Sequence, residues 1–149
     1  MTIMNSVTNE EKANCLNDYF TSVSTLDDSN SQLPPLDLKT QTIFDNIEIQ
    51  ISDTQHLIGI LDTNKAVGPD LISHKVLKQT KFTISHPLCR LFKKSLRQCI
   101  LPRKWKTSLV IPLFKKGESC CPNNYRPISL LSCVGKLMER CIYKHLYNY

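Results

Sequence analysis

The chain has 149 residues, which is long enough for one domain with a hydrophobic core or for a piece of a larger protein. Apolar residues make up 41% of it, a proportion that argues against intrinsic disorder. No apolar run approaches the roughly 18 residues that a membrane-spanning helix requires, and no basic-then-apolar leader opens the chain. We therefore expect a nuclear or cytoplasmic protein that neither crosses a membrane nor is secreted.

Charge is distributed unevenly along the chain. Residues 1–70 contain three Lys or Arg against eleven Asp or Glu, whereas residues 71–149 contain sixteen Lys or Arg against two acids. A local excess of cations attracts polyanions through counterion release. The second half is therefore predicted to bind nucleic acid with a strong salt dependence, although a basic surface can also serve solubility alone.

Residues 1–49 are predicted to form an N-terminal helix and a linker. A capping box from Thr8 to Glu11 begins a helix whose apolar residues recur at helical spacing until about Thr25. Residues 26–42 are rich in Asp, Ser, Asn and Gln, which indicates a linker or an extended arm. An apolar alternation then predicts a short strand or an extended lead-in at Phe44, Ile47, Ile49 and Ile51.

Two short helices are predicted next, joined by a shaped loop. A capping box formed by Ser52 and Gln55 predicts the first of them, which stops by residue 63. In the following loop, "NKAVGPDLI", a glycine permits backbone angles closed to other residues and a proline fixes the next step. The loop presents Lys65 and Asp70, and Asp70 is predicted to cap the second helix, residues 73–79.

A longer helix is predicted from Ser85, with Pro87 in its first turn, to Pro102. Its apolar side consists of Leu88, Leu91, Phe92, Leu96 and Cys99. Its other side carries the cations Arg90, Lys93, Lys94 and Arg97. These cations either contact phosphate or form only the solvated face of a core helix.

Residues 105–129 are predicted to form a β-hairpin. The alternation in "WKTSLVIPL" predicts a strand with one buried face, and its proline places that strand at a sheet edge. A polar loop follows, and "YRPIS" can return as the partner strand. The proline after Arg126 holds that arginine in extended backbone, so its guanidinium is oriented before a ligand binds. An exposed arginine before a proline is, however, often an ordinary turn residue. The two arms bring separate cations to one side of the hairpin, namely Lys115, Lys116 and Arg126.

The last predicted helix carries an apolar stripe made of Val134, Leu137, Met138, Cys141, Ile142 and Leu146. Another face carries Lys136, Arg140 and Lys144, each four residues apart. Like charges at this spacing destabilise a helix unless an acidic or anionic group lies alongside.

The seven cysteines do not predict a disulfide framework, because their number is odd and no C-x-x-C pair occurs. Zinc ligands could come from Cys120, Cys121, Cys133 and Cys141-x-x-x-His145. Adjacent cysteines make a poor chelate, however, and the last two cysteines fit an apolar pattern in which cysteine behaves as a small hydrophobe. We therefore expect no metal site in this chain.

Four blocks in one order carry a resemblance to a known family: "NKAVGPDLI", "PLCRLFKKSL", "ILPRKWKTSLVIPLFKKGE" and "NNYRPISLLSCVGKLMER". They resemble the start of the reverse transcriptase of non-LTR (LINE-type, jockey-like) retrotransposons, over roughly residues 50–149. The segment "ANCLNDYFTSV" is similar to the stretch that precedes the polymerase in these proteins. The resemblance implies an α+β fold, mostly helical with a β-hairpin, which forms part of the fingers region of a right-hand polymerase.

The resemblance also implies roles for particular residues. The lysine after the "IP" strand and the arginine of "RPIS" contact the nucleotide triphosphate in this family, which transfers to Lys115 or Lys116 and to Arg126. The "K-A-x-G-P-D" motif lies near the template path and falls on Lys65, Gly68, Pro69 and Asp70. Leu71 follows where a small residue is common, which puts the local turn geometry in doubt. Six further cations are candidates for nucleic-acid contact: Arg90, Lys93, Lys94, Lys106, Lys136 and Arg140.

The catalytic carboxylates of the family have no counterpart in the sequence. Phosphoryl transfer needs two divalent metals bridged by a pair of carboxylates, which these polymerases carry in an F-x-x-D strand and a Y-x-D-D turn of the palm. Neither motif is present, and after Asp70 the only acids are Glu118 and Glu139. We therefore expect no catalytic residue and no cofactor in this chain, with Mg²⁺ bound in a full-length parent.

The sequence is thus interpreted as part of an RNA-directed DNA polymerase whose partners are an RNA template, a DNA primer, a dNTP and the missing palm and thumb. On this interpretation the chain positions nucleotide and template but is inactive by itself. Two alternatives remain open: a stand-alone basic module that binds nucleic acid, and a non-functional relic of a retroelement that exposes apolar helix faces.

Overall fold

The computed structural model describes residues 8–25, 29, 32 and 47–147. In chain order the elements are α1 (Asn9–Ser24), α2 (Ile51–Gly59), α3 (His74–Gln79), α4 (Lys81–Gln98), β1 (Ser108–Phe114), β2 (Tyr125–Leu131) and α5 (Cys133–Tyr147). Single 3-10 turns occur at Arg103–Trp105 and Pro122–Asn124. The strands pair as an antiparallel hairpin, which confirms the predicted α+β class. Of the helices in these ranges, none combines the length and apolarity that crossing a membrane demands.

The chain divides into two compact units. One consists of Met1–Thr42 and Val110–Ile128, and the other of Ile43–Leu109 and Ser129–Tyr149. The division crosses both strands of the hairpin, so that the outer part of the hairpin belongs to the first unit. The predicted linker, residues 26–42, falls outside the described residues except for two positions, and Phe44 also lies outside them.

In the first unit, α1 begins as its sequence predicts. The Thr8 hydroxyl accepts the N–H of Glu11 at 3.2 Å, and the Glu11 carboxylate accepts the N–H of Thr8 at 3.0 Å. This capping box satisfies two of the N–H groups that a helix start leaves without partners. Leu16 is buried, and α1 packs against the 3-10 turn Pro122–Asn124.

The second unit contains the hydrophobic core. Helices α2, α4 and α5 supply most of it, and α2 packs against both of the others. Ile49, Ile58 and Phe92 are fully buried. The ring of Phe92 meets that of Trp105 edge-on, with centroids 5.8 Å apart, so that the 3-10 turn is anchored to α4.

The predicted start of α2 is wrong. The helix begins at Ile51 rather than after Ser52, and the Asp53 carboxylate accepts the N–H of Gln50 at 3.0 Å. Full burial of Ile49 fixes where the chain enters the core, and Asp53 is then the acid that lies within reach of the helix start. Residues 47–50 form an extended lead-in that joins no sheet in the described part of the chain.

The predicted start of α4 is also wrong. The helix begins at Lys81, four residues before Ser85, so that Pro87 lies in its interior. The extra turn brings Ile84 against the core, which offsets the hydrogen bond that proline cannot donate. The helix ends at Gln98, before Pro102 is reached, and its C-cap residue Cys99 adopts left-handed backbone with φ 53°.

The predicted buried face of the first strand is wrong as well. All seven residues of β1 are exposed, and Trp105 belongs to the 3-10 turn instead of the strand. Alternation of apolar residues reports the pleat of a strand, but it cannot report whether another layer covers that face. Pro112 lies in a two-stranded ribbon, in which every strand is an edge, as predicted.

Candidate nucleotide and nucleic-acid interface

Lys115 and Arg126 lie on the same face of the hairpin. The N–H of Lys115 donates to the carbonyl of Asn124 at 2.8 Å, which pairs these two residues just beyond β1. In antiparallel strands, paired residues and their second neighbours share a face. Lys115 and Arg126 are therefore diagonal neighbours, with backbones about 7–8 Å apart. Lys116 is one residue out of that register.

The connection between the strands is held by side-chain hydrogen bonds. The ring of Tyr125 packs on that of Phe114, with centroids 5.3 Å apart, and its hydroxyl donates to the carbonyl of Ser119 at 2.8 Å. The side-chain amide of Asn124 donates to the carbonyl of Glu118 at 2.9 Å. These bonds order the backbone on either side of the two cations before any ligand binds.

The three hairpin cations are accessible. Lys115, Lys116 and Arg126 are all exposed, and none of them takes part in an ion pair with a described residue. A cation without a protein partner, held on ordered backbone, is available for an anionic ligand.

The loop "NKAVGPDLI" packs by its glycine against the junction between β2 and α5. Gly68 is buried, and a Cβ added there would lie 2.4 Å from the carbonyl oxygen of Leu131 and 2.9 Å from the nitrogen of Ser132. Only glycine permits this approach. Of the predicted template residues in this loop, Lys65 and Pro69 are exposed, whereas the packing of Gly68 gives it a structural role.

Asp70 also has a structural role, which differs from the predicted one. Its carboxylate accepts the hydroxyl of Ser132 at 2.5 Å, and that hydroxyl accepts the N–H of Gly135 at 3.1 Å in the first turn of α5. Asp70 therefore acts on α5 through Ser132. The cap of α3 is Ser73, whose hydroxyl accepts the N–H of Val76 at 3.2 Å, so the prediction that Asp70 caps this helix is wrong.

Helix α4 presents the basic face that its sequence predicts. Arg90 and Lys94 are exposed and Lys93 is half-buried. A surface groove of about 470 Å³ runs along them, lined by Arg90, Leu91, Lys93, Lys94, Arg97 and Gln98. Lys106 is exposed just beyond the 3-10 turn that follows this helix.

On α5, the row of three cations has one acidic partner. The ammonium of Lys144 lies 2.6 Å from the Asp53 carboxylate on α2, whereas Lys136 is half-buried and Arg140 is exposed. Burial alone would raise the pKa of Asp53, but the hydrogen bonds from Lys144 and the Gln50 N–H outweigh it, so the pKa lies below its usual value. At Lys144, therefore, an acidic group lies alongside the row and offsets the repulsion between like charges.

Two cysteines that could have been zinc ligands belong to the core. Burial raises the pKa of Cys133 to about 11 and that of Cys141 to about 11, so both thiols stay protonated at neutral pH. Both are buried as small hydrophobes, as their apolar pattern predicts.

No model of a known protein family matches the chain. Individual relatives do match. The chain is 30% identical over 99 residues, 66% of its length, to 11% of the RNA-directed DNA polymerase from mobile element jockey of Drosophila melanogaster. It is 28% identical over 144 residues, 92% of its length, to 16% of the probable RNA-directed DNA polymerase from transposon BS of the same species.

A third relative is the probable RNA-directed DNA polymerase from transposon X-element of Drosophila melanogaster, 34% identical over 80 residues. That match covers 53% of the chain and 9% of the relative. The chain therefore spans only a small part of the length of these relatives. It is homologous to a segment of the RNA-directed DNA polymerases of jockey-like and other non-LTR retrotransposons.

Proposed function

We propose that this chain supplies the nucleotide- and template-contacting fingers elements of a reverse transcriptase, within a partial polymerase domain at residues 50–149. Lys115 and Arg126 clamp the phosphates of an incoming dNTP, and the outer hairpin closes over it. Residues 1–49 precede the polymerase. The observation that carries this proposal is the placement of two exposed cations, neither ion-paired within the described ranges, as diagonal neighbours on one face of an ordered ribbon.

The placement favours Lys115 over Lys116 as the partner of Arg126. A guanidinium and an ammonium about 7–8 Å apart at the backbone can reach adjacent phosphates of one triphosphate, because both side chains are long. Lys116 is one residue out of register with Arg126, so it is not the diagonal neighbour of that arginine. Each charge-assisted contact contributes on the order of 1.5–3 kcal/mol when formed.

The chemistry of phosphoryl transfer falls to residues outside this sequence. Two Mg²⁺ ions of the complete polymerase require a pair of carboxylates, and the described acids after Asp70 are Glu118 in the hairpin connection and Glu139 on α5. These residues do not fit a two-metal site. The chain by itself is accordingly expected to bind nucleotide and not to extend a primer.

The basic groove along α4 contributes to nucleic-acid binding in this proposal. Arg90, Lys93 and Lys94 contact backbone phosphates of the template strand, as do Lys106, Lys136 and Arg140. The same cations would serve a stand-alone nucleic-acid-binding module. That second function predicts tight RNA binding by the isolated chain that does not change when Arg126 is replaced.

Equilibrium titration of the 149-residue chain with a dNTP tests the nucleotide site. Lys115→Ala and Arg126→Ala should each weaken binding about tenfold or more, which corresponds to about 1.4 kcal/mol. Lys116→Ala should change it by less than threefold. The matched control is Arg103→Ala, which removes one exposed arginine elsewhere in the basic half.

Two comparisons distinguish a phosphate clamp on the hairpin from a general effect of net charge. The corresponding deoxynucleoside, which lacks phosphates, should bind all variants equally weakly. If Arg103→Ala and Arg126→Ala reduce dNTP affinity to the same extent, the effect is one of net charge and the hairpin clamp is wrong.

A further inference from the structure

The connection between the two hairpin strands gathers three metal-ligating side chains. The thiol sulfurs of Cys120 and Cys121 lie 3.8 Å and 3.7 Å from the same carboxylate oxygen, Oε2 of Glu118. All three ligand atoms lie within 4.8 Å of one another, and this is the only such cluster of three among the described residues. Glu118 is exposed and both cysteines are half-buried, so an ion can reach them from solvent.

Hydrogen bonds already hold the turn that carries these three side chains. The N–H of Cys121 donates to the carbonyl of Glu118 at 3.2 Å, and the N–H of Asn124 donates to the carbonyl of Cys121 at 3.1 Å. The Asn124 side chain and the Tyr125 hydroxyl bind the same turn from the start of β2. None of these bonds uses a sulfur or the Glu118 carboxylate, so ligation would leave them intact.

The observed spacing is close to what a tetrahedral zinc ion requires. Zn–S distances of about 2.3 Å and Zn–O distances of about 2.0–2.2 Å place sulfur and oxygen about 3.5–3.7 Å apart in such a site. The two sulfur–oxygen distances of 3.7 Å and 3.8 Å therefore need little adjustment. In sequence the adjacent cysteines are a poor chelate, and convergence on Glu118 is what the fold adds.

We propose that Glu118, Cys120 and Cys121 form a binding site for a thiophilic divalent cation, Zn²⁺ in the cell, with water in the fourth position. Binding displaces one proton from each thiol to solvent, so that two protons are released for each ion bound. The loop starts with one carboxylate charge and ends with a dication among three anionic ligands. Its net charge is therefore the same before and after binding.

The other cysteines do not compete for this ion. Cys89, Cys133 and Cys141 are buried in the core of the second unit. Cys99 is exposed at the end of α4, and Cys15 lies on α1, so neither belongs to a described cluster of three ligands. The proposed site closes the connection between Lys115 and Arg126, but it does not depend on nucleotide binding there.

Titration of the reduced, metal-free 149-residue chain with Co²⁺ and Zn²⁺ tests the proposal. We expect one ion per chain and a thiolate-to-cobalt charge-transfer absorption in the near ultraviolet, which Zn²⁺ abolishes by displacement. Calorimetry in two buffers of different ionisation enthalpy should give release of two protons, less whatever fraction is already dissociated.

Variants locate the ion. Cys120→Ser and Cys121→Ser should each weaken Zn²⁺ binding at least about 100-fold, since even loss of a group that only supports a ligand costs about 10–100-fold. Glu118→Gln should weaken it about tenfold or more, with the charge-transfer band retained. Cys15→Ser and Cys99→Ser are the matched controls and should bind as the parent does.

Several results would overturn the site. Absence of the charge-transfer band, equal loss in the control variants, or unchanged affinity in the Cys120→Ser/Cys121→Ser double variant each contradicts it. Circular dichroism of that double variant guards against a folding effect. If its spectrum departs from that of the parent, the single Glu118→Gln variant decides, and unchanged affinity in it contradicts the proposal.

Discussion

Replacement of Gly68 by alanine tests the contact that joins the "NKAVGPDLI" loop to the start of α5. The added methyl would lie 2.4 Å from the Leu131 carbonyl oxygen and 2.7 Å from its carbon. Both are backbone atoms between β2 and α5, so no side-chain rotation can relieve the overlap. The loop must instead withdraw, which also strains the hydrogen bond from Ser132 to Asp70.

The expected cost follows from this geometry. Overpacking a well-packed site costs about 1–3 kcal/mol, and contact with backbone places the cost of Gly68→Ala at about 3 kcal/mol. For a chain of this size the corresponding fall in Tm is about 6–12 °C. Urea denaturation followed by circular dichroism measures the free energy of unfolding directly.

Gly59 provides a matched control within the same unit. A Cβ there would lie 3.9 Å from the nearest atoms beyond its own helix backbone and chain neighbours, which belong to the flexible side chain of Lys81. Gly59→Ala is therefore expected to be neutral or to stabilise the chain by up to about 1 kcal/mol, because alanine favours helix. A loss of less than about 0.5 kcal/mol in Gly68→Ala, as for ordinary surface changes, would refute the packing described for this loop.

The ion pair between Lys144 and Asp53 should give an acid-dependent part of stability. Because the folded-state pKa of Asp53 is lowered, the ion pair contributes its full stability at pH values above the unfolded-state pKa of about 4. That stability is lost as pH falls through the folded-state pKa. Asp53→Asn should therefore lower the free energy of unfolding by about 1 kcal/mol at pH 7 and leave it unchanged at the acid end of a series of urea denaturations. A difference between the variant and the parent that does not vary with pH would contradict this. For RNA binding, the triple alanine variant of Arg90, Lys93 and Lys94 should reduce the slope of log affinity against log salt by about 2, and an unchanged slope would exclude the α4 groove.

Local sequence patterns predicted most of the elements. The capping box at Thr8 locates the start of α1, and the apolar stripe from Val134 to Leu146 locates α5. The hairpin follows from alternation on both sides of a polar loop. These signals act over a few residues, which is why one sequence suffices to find them.

Contacts between distant residues could not be predicted in this way. Asp70 and Ser132 are 62 positions apart, and nothing in either neighbourhood indicates that one carboxylate supports the start of α5. Full burial of Ile49 decides where α2 begins, and that burial depends on helices far along the chain. The missed starts of α2 and α4 are both cases in which tertiary packing outweighed a local cap.

The turn at Leu71, whose geometry the sequence puts in doubt, has left-handed backbone in the structure. Leu71 adopts φ 60°, left-handed backbone that a residue with a Cβ adopts at a cost. Its N–H donates to the carbonyl of Gly68 at 3.1 Å, and its side chain is 84% exposed. A glycine would adopt this conformation without strain.

Contacts in the folded chain also distinguish between the roles of the candidate site residues. Register along the hairpin distinguishes Lys115 from Lys116, which the sequence alone left open, because one backbone hydrogen bond to Asn124 fixes the pairing. Gly68 was predicted near the template, whereas its burial against Leu131 reflects packing. The convergence of Cys120 and Cys121 on Glu118 required the folded turn, since their spacing in sequence indicates no chelate.

Single-turnover nucleotide incorporation tests the proposed clamp most directly. The enzyme for this measurement is a chimera in which the present chain replaces the matching segment of the jockey polymerase. The account predicts that Arg126→Ala raises the Kd for dNTP tenfold or more, that Lys115→Ala does the same, and that Lys116→Ala stays within threefold of the parent chimera. A Kd for dNTP that does not change in Arg126→Ala, in a chimera that still extends primers, would contradict the account.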